Sequence, residues 1–214
     1  SSAGFVPTVA AQAADMTFFL TSANTGKGAD FGGLDGADAY CATLAKAAGS
    51  GKTNWRAYLS TTGEGGAAGV NARACDEFNA RDRIGKGPWQ NVKGVVIARS
   101  VDDLHGATNN LIKDTALTEK AETISGRGDA VNAHDVLTGS DPSGNYSTAG
   151  GDTTCVNWTS STTGSAIVGH HDRKGLKDSR HMNSWNSSHG TRGCNMEALK
   201  STGGTGLIYC FVAN

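Results

Sequence analysis

Five widely separated cysteines constrain this chain more than any other feature of its sequence. No two of them stand two or three residues apart, which excludes the CxxC spacing of zinc ribbons and of thiol redox motifs. Isolated cysteines in this number favour the disulfide framework of an exported protein. Four cysteines can pair in three ways and a fifth is left over, so spacing alone does not choose partners among Cys41, Cys75, Cys155, Cys194 and Cys210.

Composition narrows both the fold class and the partners. Glycine fills 30 of the 214 positions, about twice its usual share, which indicates many loops. The formal net charge of −1 offers no basic surface for a nucleic-acid backbone or an anionic membrane. No apolar run reaches the roughly 18 residues of a membrane span. We therefore expect one α+β domain that recognises its partners locally.

The amino end differs from the rest of the chain. Residues 1–14 carry no charge and include Ala11-Gln12-Ala13, a small-x-small pattern of the kind that signal peptidase cuts. We interpret residues 1–16 as an N-terminal arm or a signal-peptide remnant, and residues 17–214 as the single domain. A secreted, periplasmic or cell-surface location follows, and residues 1–14 could pack against a second subunit or a surface protein.

Periodicity predicts several elements. Thr17–Thr21 and Trp55–Ser60 are typical of short strands, and Leu207–Val212 of a strand buried on both faces. Apolar residues at helical spacing predict an amphipathic helix over residues 35–48. Residues 101–165 are mostly Asp, Asn, Gly, Ser and Thr, which indicates long irregular connections.

Several blocks of sequence then match a known family in order. Gly33-Leu-Asp-Gly-Ala-Asp-Ala-Tyr-Cys41 and Trp55-Arg-Ala-Tyr-Leu-Ser60 resemble the helix and strand that open the endostatin domain of the multiplexin collagens. Three later blocks agree: Thr138-Gly-Ser-Asp-Pro-Ser-Gly144, Cys155-Val-Asn-Trp158, and Cys194 with Leu207-Ile-Tyr-Cys-Phe211. The chain is also similar to exported bacterial proteins described as lectin-like.

This resemblance implies a fold and a disulfide pattern. The fold would be C-type-lectin-like and endostatin-like, a twisted mixed β-sheet with a long N-terminal helix and extensive loops. The family's bridges, carried over to this sequence, pair Cys41 with Cys210 and Cys155 with Cys194. Cys75 has no counterpart in the family.

One segment concentrates residues that could bind a ligand. Four of the six histidines lie within residues 170–189. A tryptophan face can stack on a sugar while Asn, Asp and His bond to its hydroxyls. The candidate glycan-binding residues are His171, Asp172, Asn183, Trp185, Asn186 and His189. The alternative is that these side chains only stabilise a loop.

Two metal sites are candidates. Asp129, Asn132 and Asp135 supply the oxygen ligands that calcium prefers, although their spacing matches no EF-hand. The histidines suggest zinc as the other metal. Adjacent His170 and His171 cannot easily face one ion from a strand, which counts against zinc there.

The sequence gives no sign of catalysis. It contains neither HExxH nor GxSxG, so we predict no enzyme. The resemblance implies an exported, lectin-like binding protein for a glycan or another extracellular polymer. The alternative is a structural or adhesive surface subunit that assembles through its N-terminal arm.

Overall fold

The computed structural model of the chain describes residue 4, residues 13–62 and residues 78–214. Cys75 and most of the predicted arm lie outside the described residues, so those two predictions stay open. Within the described ranges the protein is a mixed α+β structure with small sheets and two disulfides.

A three-stranded antiparallel sheet joins the two ends of the domain. Its strands are β1 (Phe18–Leu20), β2 (Trp55–Ala57) and β9 (Tyr209–Val212), in the order β1-β9-β2. The main helix, α1 (Gly33–Ala47), packs against β2. The Cys41–Cys210 disulfide links α1 to the central strand β9, as the family resemblance implied.

A buried ionic group also fixes α1 on the sheet. Asp38 of α1 lies 2.7 Å from the guanidinium of Arg83 and 3.0 Å from that of Arg56. Its other carboxylate oxygen accepts the backbone N–H of Ala57. The carboxylate is thus fully paired, as a charge this deeply placed has to be.

A second, four-stranded sheet is mixed and positions the site described below. Its order is β7 (His189–Gly190), β6 (Ile167–His170), β5 (Asp135–Leu137) and β8 (Gly204–Leu207). Strands β5 and β8 run parallel and the other pairs are antiparallel. The remaining elements are the pair β3 (Trp89–Gln90) and β4 (Val96–Ala98), and short helices α2 (Ala80–Arg83), α3 (Val101–Leu104) and α4 (Met196–Ser201).

The Cys155–Trp158 segment forms an unusual left-handed turn. All four of its residues have positive φ, between 47° and 65°. The turn is held by the Cys155–Cys194 disulfide and by the indole N–H of Trp158, which donates to the carbonyl of Ser60. The second predicted bridge is therefore confirmed, and it encloses β6 and β7.

Most of the predicted strands and helices correspond to elements of the structure. The strand at Thr17–Thr21 and the helix over residues 35–48 correspond to β1 and α1. The strand at Trp55–Ser60 is shorter than expected and ends at Ala57. The long N-terminal helix that the resemblance implied is not shown, since the longest described helix has 15 residues and follows β1. No helix in the described ranges is long and apolar enough to cross a membrane.

We expect both disulfides to stabilise the domain by lowering the conformational entropy of the unfolded chain. They close segments with separations of 169 and 39 residues, worth about 5 and 4 kcal/mol in the chain-entropy treatment. In a Cys75→Ala background, Cys41→Ala/Cys210→Ala and Cys155→Ala/Cys194→Ala should each lower the free energy of unfolding in urea by a large part of these amounts. Unfolding midpoints equal to that of the Cys75→Ala protein would contradict this stabilisation.

Candidate metal centre

Strand pairing brings four polar side chains to one end of the mixed sheet. Asp135, the first residue of β5, lies opposite His170, the last residue of β6. His189 of β7 pairs with Val168 of β6, and His134 immediately precedes β5. The cluster therefore consists of one carboxylate and three imidazoles from three adjacent strands.

Three imidazole nitrogens converge on one carboxylate oxygen. The Nε2 atoms of His134, His170 and His189 lie 3.3, 3.1 and 3.3 Å from Oδ1 of Asp135. The rings of His134 and His170 are stacked, with centroids 3.8 Å apart. Both of these rings and the carboxylate are almost completely buried, whereas the His189 side chain is 26% exposed.

The opposite ring nitrogens determine the tautomers. Nδ1 of His134 lies 3.1 Å from a carboxylate oxygen of Asp172. Nδ1 of His170 and of His189 lie 2.9 and 3.0 Å from the carbonyls of Met182 and Gly190. These partners only accept hydrogen bonds, so each Nδ1 carries the proton. In the neutral rings, each Nε2 consequently directs a lone pair at Asp135.

The centre of the cluster is unsatisfied. Oδ1 of Asp135 and Nε2 of His170 are buried and have no hydrogen-bond partner. The other oxygen of Asp135 accepts from the hydroxyl of Thr202 at 3.0 Å. Burial alone would raise the pKa of Asp135, but hydrogen bonds and positive charge from the protonated forms of His170 and His189 hold it below its ordinary value. Burial would lower the pKa of His189, but its contact with Asp135 raises it. An anionic oxygen surrounded by three imidazole nitrogens needs a cation, either a protonated imidazole, for which His189 is placed, or a bound ion, since buried polar atoms are nearly always paired.

The spacing suits a transition metal. The ligand atoms of His134, Asp135 and His170 all lie within 4.8 Å of one another. Ligands about 2.0 to 2.1 Å from a tetrahedral zinc ion are separated from each other by about 3.3 Å. The His–Asp separations of 3.1 and 3.3 Å match that value. His189 is not a member of this close group and stands at the open side of the same carboxylate.

Asp172 supports the centre from behind. Besides contacting His134, its carboxylate accepts the backbone N–H groups of Arg127 and Lys174 at 2.7 and 3.1 Å. Burial would raise the pKa of Asp172, but the contact with His134 and these two bonds hold it well below its usual range. A Cβ added to Gly126 would stand 2.4 Å from this carboxylate, so only glycine lets the loop approach. A carboxylate on the far nitrogen of a metal-binding histidine is a common orienting arrangement.

The centre lies at the wall of an open pocket of about 800 Å³. This volume is within the range usual for small-molecule sites. The pocket is bounded by the three histidines, by the loop around Arg127 and Val131, by the loop after β6, and by the end of α4. The three imidazoles thus form part of the pocket wall, and His189 is the most exposed of them.

The structure separates the predicted glycan-binding residues. Of the six, only His189 lines this pocket, and Asp172 stands behind it. Trp185 is 4% exposed and packs on Tyr58 and Tyr209, so its ring lies in the core and not on the surface where the sugar-stacking prediction requires it.

The other predicted residues bond within the protein. The amide of Asn186 is buried and donates to the Tyr58 hydroxyl. Asn183 donates to Asp178, and the buried His171 contacts the carbonyl of Ala133. For these residues the loop-stabilising alternative describes the structure better than sugar recognition does.

The three residues of the predicted calcium site also have different surroundings. Asp129 pairs with Lys113 at 2.6 Å and caps the N–H of Gly126. Asn132 accepts the backbone N–H of His134 in a local turn. Only Asp135 belongs to the cluster, where its neighbours are nitrogens and not the six or more oxygens that calcium takes. The structure does not bring the three together as one oxygen site.

Sequence reasoning missed His134 and its pairing with His170. The available signal was His134-Asp135 directly before the apolar pair Val136-Leu137, which places two ligand types at the start of a strand. As expected for adjacent residues of a strand, His170 and His171 do not face the same site. His170 faces the cluster, whereas His171 contacts the carbonyl of Ala133. No protein-family model and no curated protein matches this chain.

His171 should make stability depend on pH. Burial lowers the pKa of this imidazole from about 6.5 to about 4, so the folded protein holds it neutral. The unfolded chain binds the extra proton as pH falls through 6.5, and stability is lost down to about pH 4. At pH 5 the loss should be about 2 kcal/mol relative to neutral pH.

This contribution is measured as a difference between variants. Urea unfolding of the metal-stripped protein at pH 7.5 and pH 5 should show a smaller pH effect in His171→Asn than in the parent. The exposed His181 provides the matched control, and His181→Asn should keep the parental pH effect. An unchanged pH effect in His171→Asn would show that this residue does not titrate as described.

Proposed function

We propose that the protein is a metal-dependent binding protein, which holds a divalent transition-metal ion of the zinc class between His134, Asp135 and His170 and presents it to the open pocket. The convergence of lone-pair nitrogens on a buried, unpartnered carboxylate oxygen carries this proposal. Imidazole and carboxylate together are typical donors for zinc and its neighbours in the first transition row.

A cation explains the arrangement better than hydrogen bonds do. Each Nδ1 already donates its proton to another acceptor. A hydrogen bond from Nε2 to Asp135 would therefore require a second proton, which makes the ring a charged imidazolium. His134 and His170 are stacked at 3.8 Å, and two like charges at that distance in a buried site repel strongly. One ion between the three ligand atoms satisfies all of them and needs no extra proton.

The number of protein ligands indicates that a small molecule could bind directly to the metal ion. Structural zinc sites are closed by four protein ligands, whereas sites with three keep a position open. The open side here is where His189 stands, with 26% of its side chain exposed, next to the pocket. A ligand entering the pocket could therefore coordinate the ion directly.

This proposed function keeps the exported binding domain expected from the sequence. It places the binding site at the metal centre and not around Trp185. We further propose that the domain belongs with endostatin-like, C-type-lectin-like proteins, which the mixed sheet and the two nested disulfides support. Its ligand would be an extracellular molecule held through the ion, and not through the buried Trp185. The adhesive alternative depends on residues 1–14, of which only Gly4, Ala13 and Ala14 are described.

Calorimetric titration of the metal-stripped protein tests the metal site. We expect one equivalent of Zn²⁺ to bind, and Co²⁺ to give the visible absorption of a four-coordinate nitrogen and oxygen site. His134→Ala and the isosteric Asp135→Asn should weaken Zn²⁺ binding by at least about 100-fold. His181→Ala, which removes an exposed imidazole, should bind Zn²⁺ like the parent.

Several results would contradict the metal site. Circular dichroism must first show that the variants are folded, and Asp135→Asn serves here because it keeps the shape of the side chain. Failure of the parent to bind Zn²⁺ would refute the proposal. Equal affinity in the parent and Asp135→Asn, or a preference for Ca²⁺ over Zn²⁺, would refute it as well.

The supporting role of Asp172 gives a further prediction. Asp172→Asn retains the size of the side chain but removes the charge that orients His134. Zn²⁺ affinity should fall about 10- to 100-fold, as is usual for a partner of a metal-binding histidine. The comparable change Asp178→Asn, on an exposed loop residue, should leave the affinity unchanged.

A further inference from the structure

The pocket beside the metal centre is lined by cations without matching anions. Arg127, Arg192 and Lys200 all contribute to its wall, and no Asp or Glu does. Within the described part of the chain, none of their charged groups has an ion-pair or hydrogen-bond partner. The whole chain has a net charge of only −1, so this positive surface is local.

The same pocket carries exposed apolar side chains. Val131 is 64% exposed and Leu176 is 81% exposed, and both line it. They are two of the five large apolar residues recorded as exposed in the described ranges. Their position beside a charged wall gives the pocket a polar part and an apolar part.

We infer that the ligand of this pocket is an amphipathic organic anion, with an oxyanion head at the metal and the cationic side chains and an apolar tail against Val131 and Leu176. This inference rests on the proposed metal function. It adds the chemical class of the ligand, which the metal site alone does not specify.

The electrostatics favour an anionic head group. An ion with an open coordination position binds an oxyanion directly, and guanidinium groups bind carboxylate or phosphate oxygens through paired N–H donors. The carboxylates nearest the ion are already engaged: Asp135 would coordinate it, and Asp172 holds His134. The remaining positive charge of the wall is thus available to the ligand.

The dimensions and the apolar residues favour a tail. A pocket of about 800 Å³ is far larger than a bare oxyanion requires. Burying the exposed Leu176 and Val131 against a hydrocarbon would gain affinity in proportion to the area removed from water. A neutral polyol could accept hydrogen bonds from the three cations, but it would not neutralise their charge and would leave the two apolar side chains exposed.

Calorimetry on the zinc-loaded protein with simple probes tests the inference. Octanoate and octyl phosphate combine an oxyanion with a tail, octanol has only the tail, and acetate only the head. We expect octanoate or octyl phosphate to bind at least about 10-fold more tightly than octanol and acetate. The better of the two identifies the head group as carboxylate or phosphate.

Variants separate the two halves of the pocket. Arg127→Gln, Arg192→Gln or Lys200→Gln should weaken binding of the anionic probes by up to about 10-fold while leaving Zn²⁺ binding intact. Leu176→Ser should weaken octanoate without changing acetate. Lys120→Gln is the matched control, because Lys120 is exposed and does not line this pocket.

The outcomes distinguish this inference from the metal proposal. If Zn²⁺ binds but octanol binds as tightly as octanoate, or the three cation variants bind octanoate like the Lys120→Gln control, the inference is overturned and the metal site stands. If Zn²⁺ does not bind the parent protein, the metal proposal itself fails. If octanoate binds equally to the zinc-loaded and metal-stripped protein, coordination of the head group by the metal is refuted.

Discussion

The antiparallel pairing of β5 with β6 is the constraint on which the rest of the site depends. It places Asp135 opposite His170 at the end of the sheet, and the pairing of β6 with β7 adds His189. Side chains alternate between the two faces of a strand, so a slip of one residue in either pair would direct a ligand away from the cluster. Register therefore determines the chemistry here, and the short strands need outside support to keep it.

Parts of the fold outside the four-residue cluster hold these strands in register. The Cys155–Cys194 disulfide closes the segment containing β6 and β7, and the buried Trp185 of that segment packs on Tyr58 and Tyr209. Asp172, held by two backbone N–H groups, then fixes the ring of His134. The polar cluster is thus flanked by a disulfide-closed segment and by a hydrogen-bonded carboxylate, and these contacts hold its side chains in place.

The sequence predicts the elements whose signals are local. Helix α1 and strand β1 are expected because their apolar residues repeat with the right period, and the disulfides follow from the family resemblance. The site is not local: His134 and His170 are 36 positions apart and meet only through cross-strand pairing. The burial of Trp185 is likewise not visible in the sequence, because a polar neighbourhood does not show which side chains the loop turns inward.

The loop from residue 171 to residue 188 connects two neighbouring strands of the sheet, and its middle contributes Gly175 and Leu176 to the pocket. Within the described chain, residues 175–181 form no hydrogen bond with His134, Asp135, His170 or His189. This stretch can therefore change in length and composition while the strands on either side keep the ligands in place. Under the proposed function, residues 175–181 would be an exchangeable specificity segment: changes confined to them would alter which molecule the pocket selects and leave the residues that hold the ion in place.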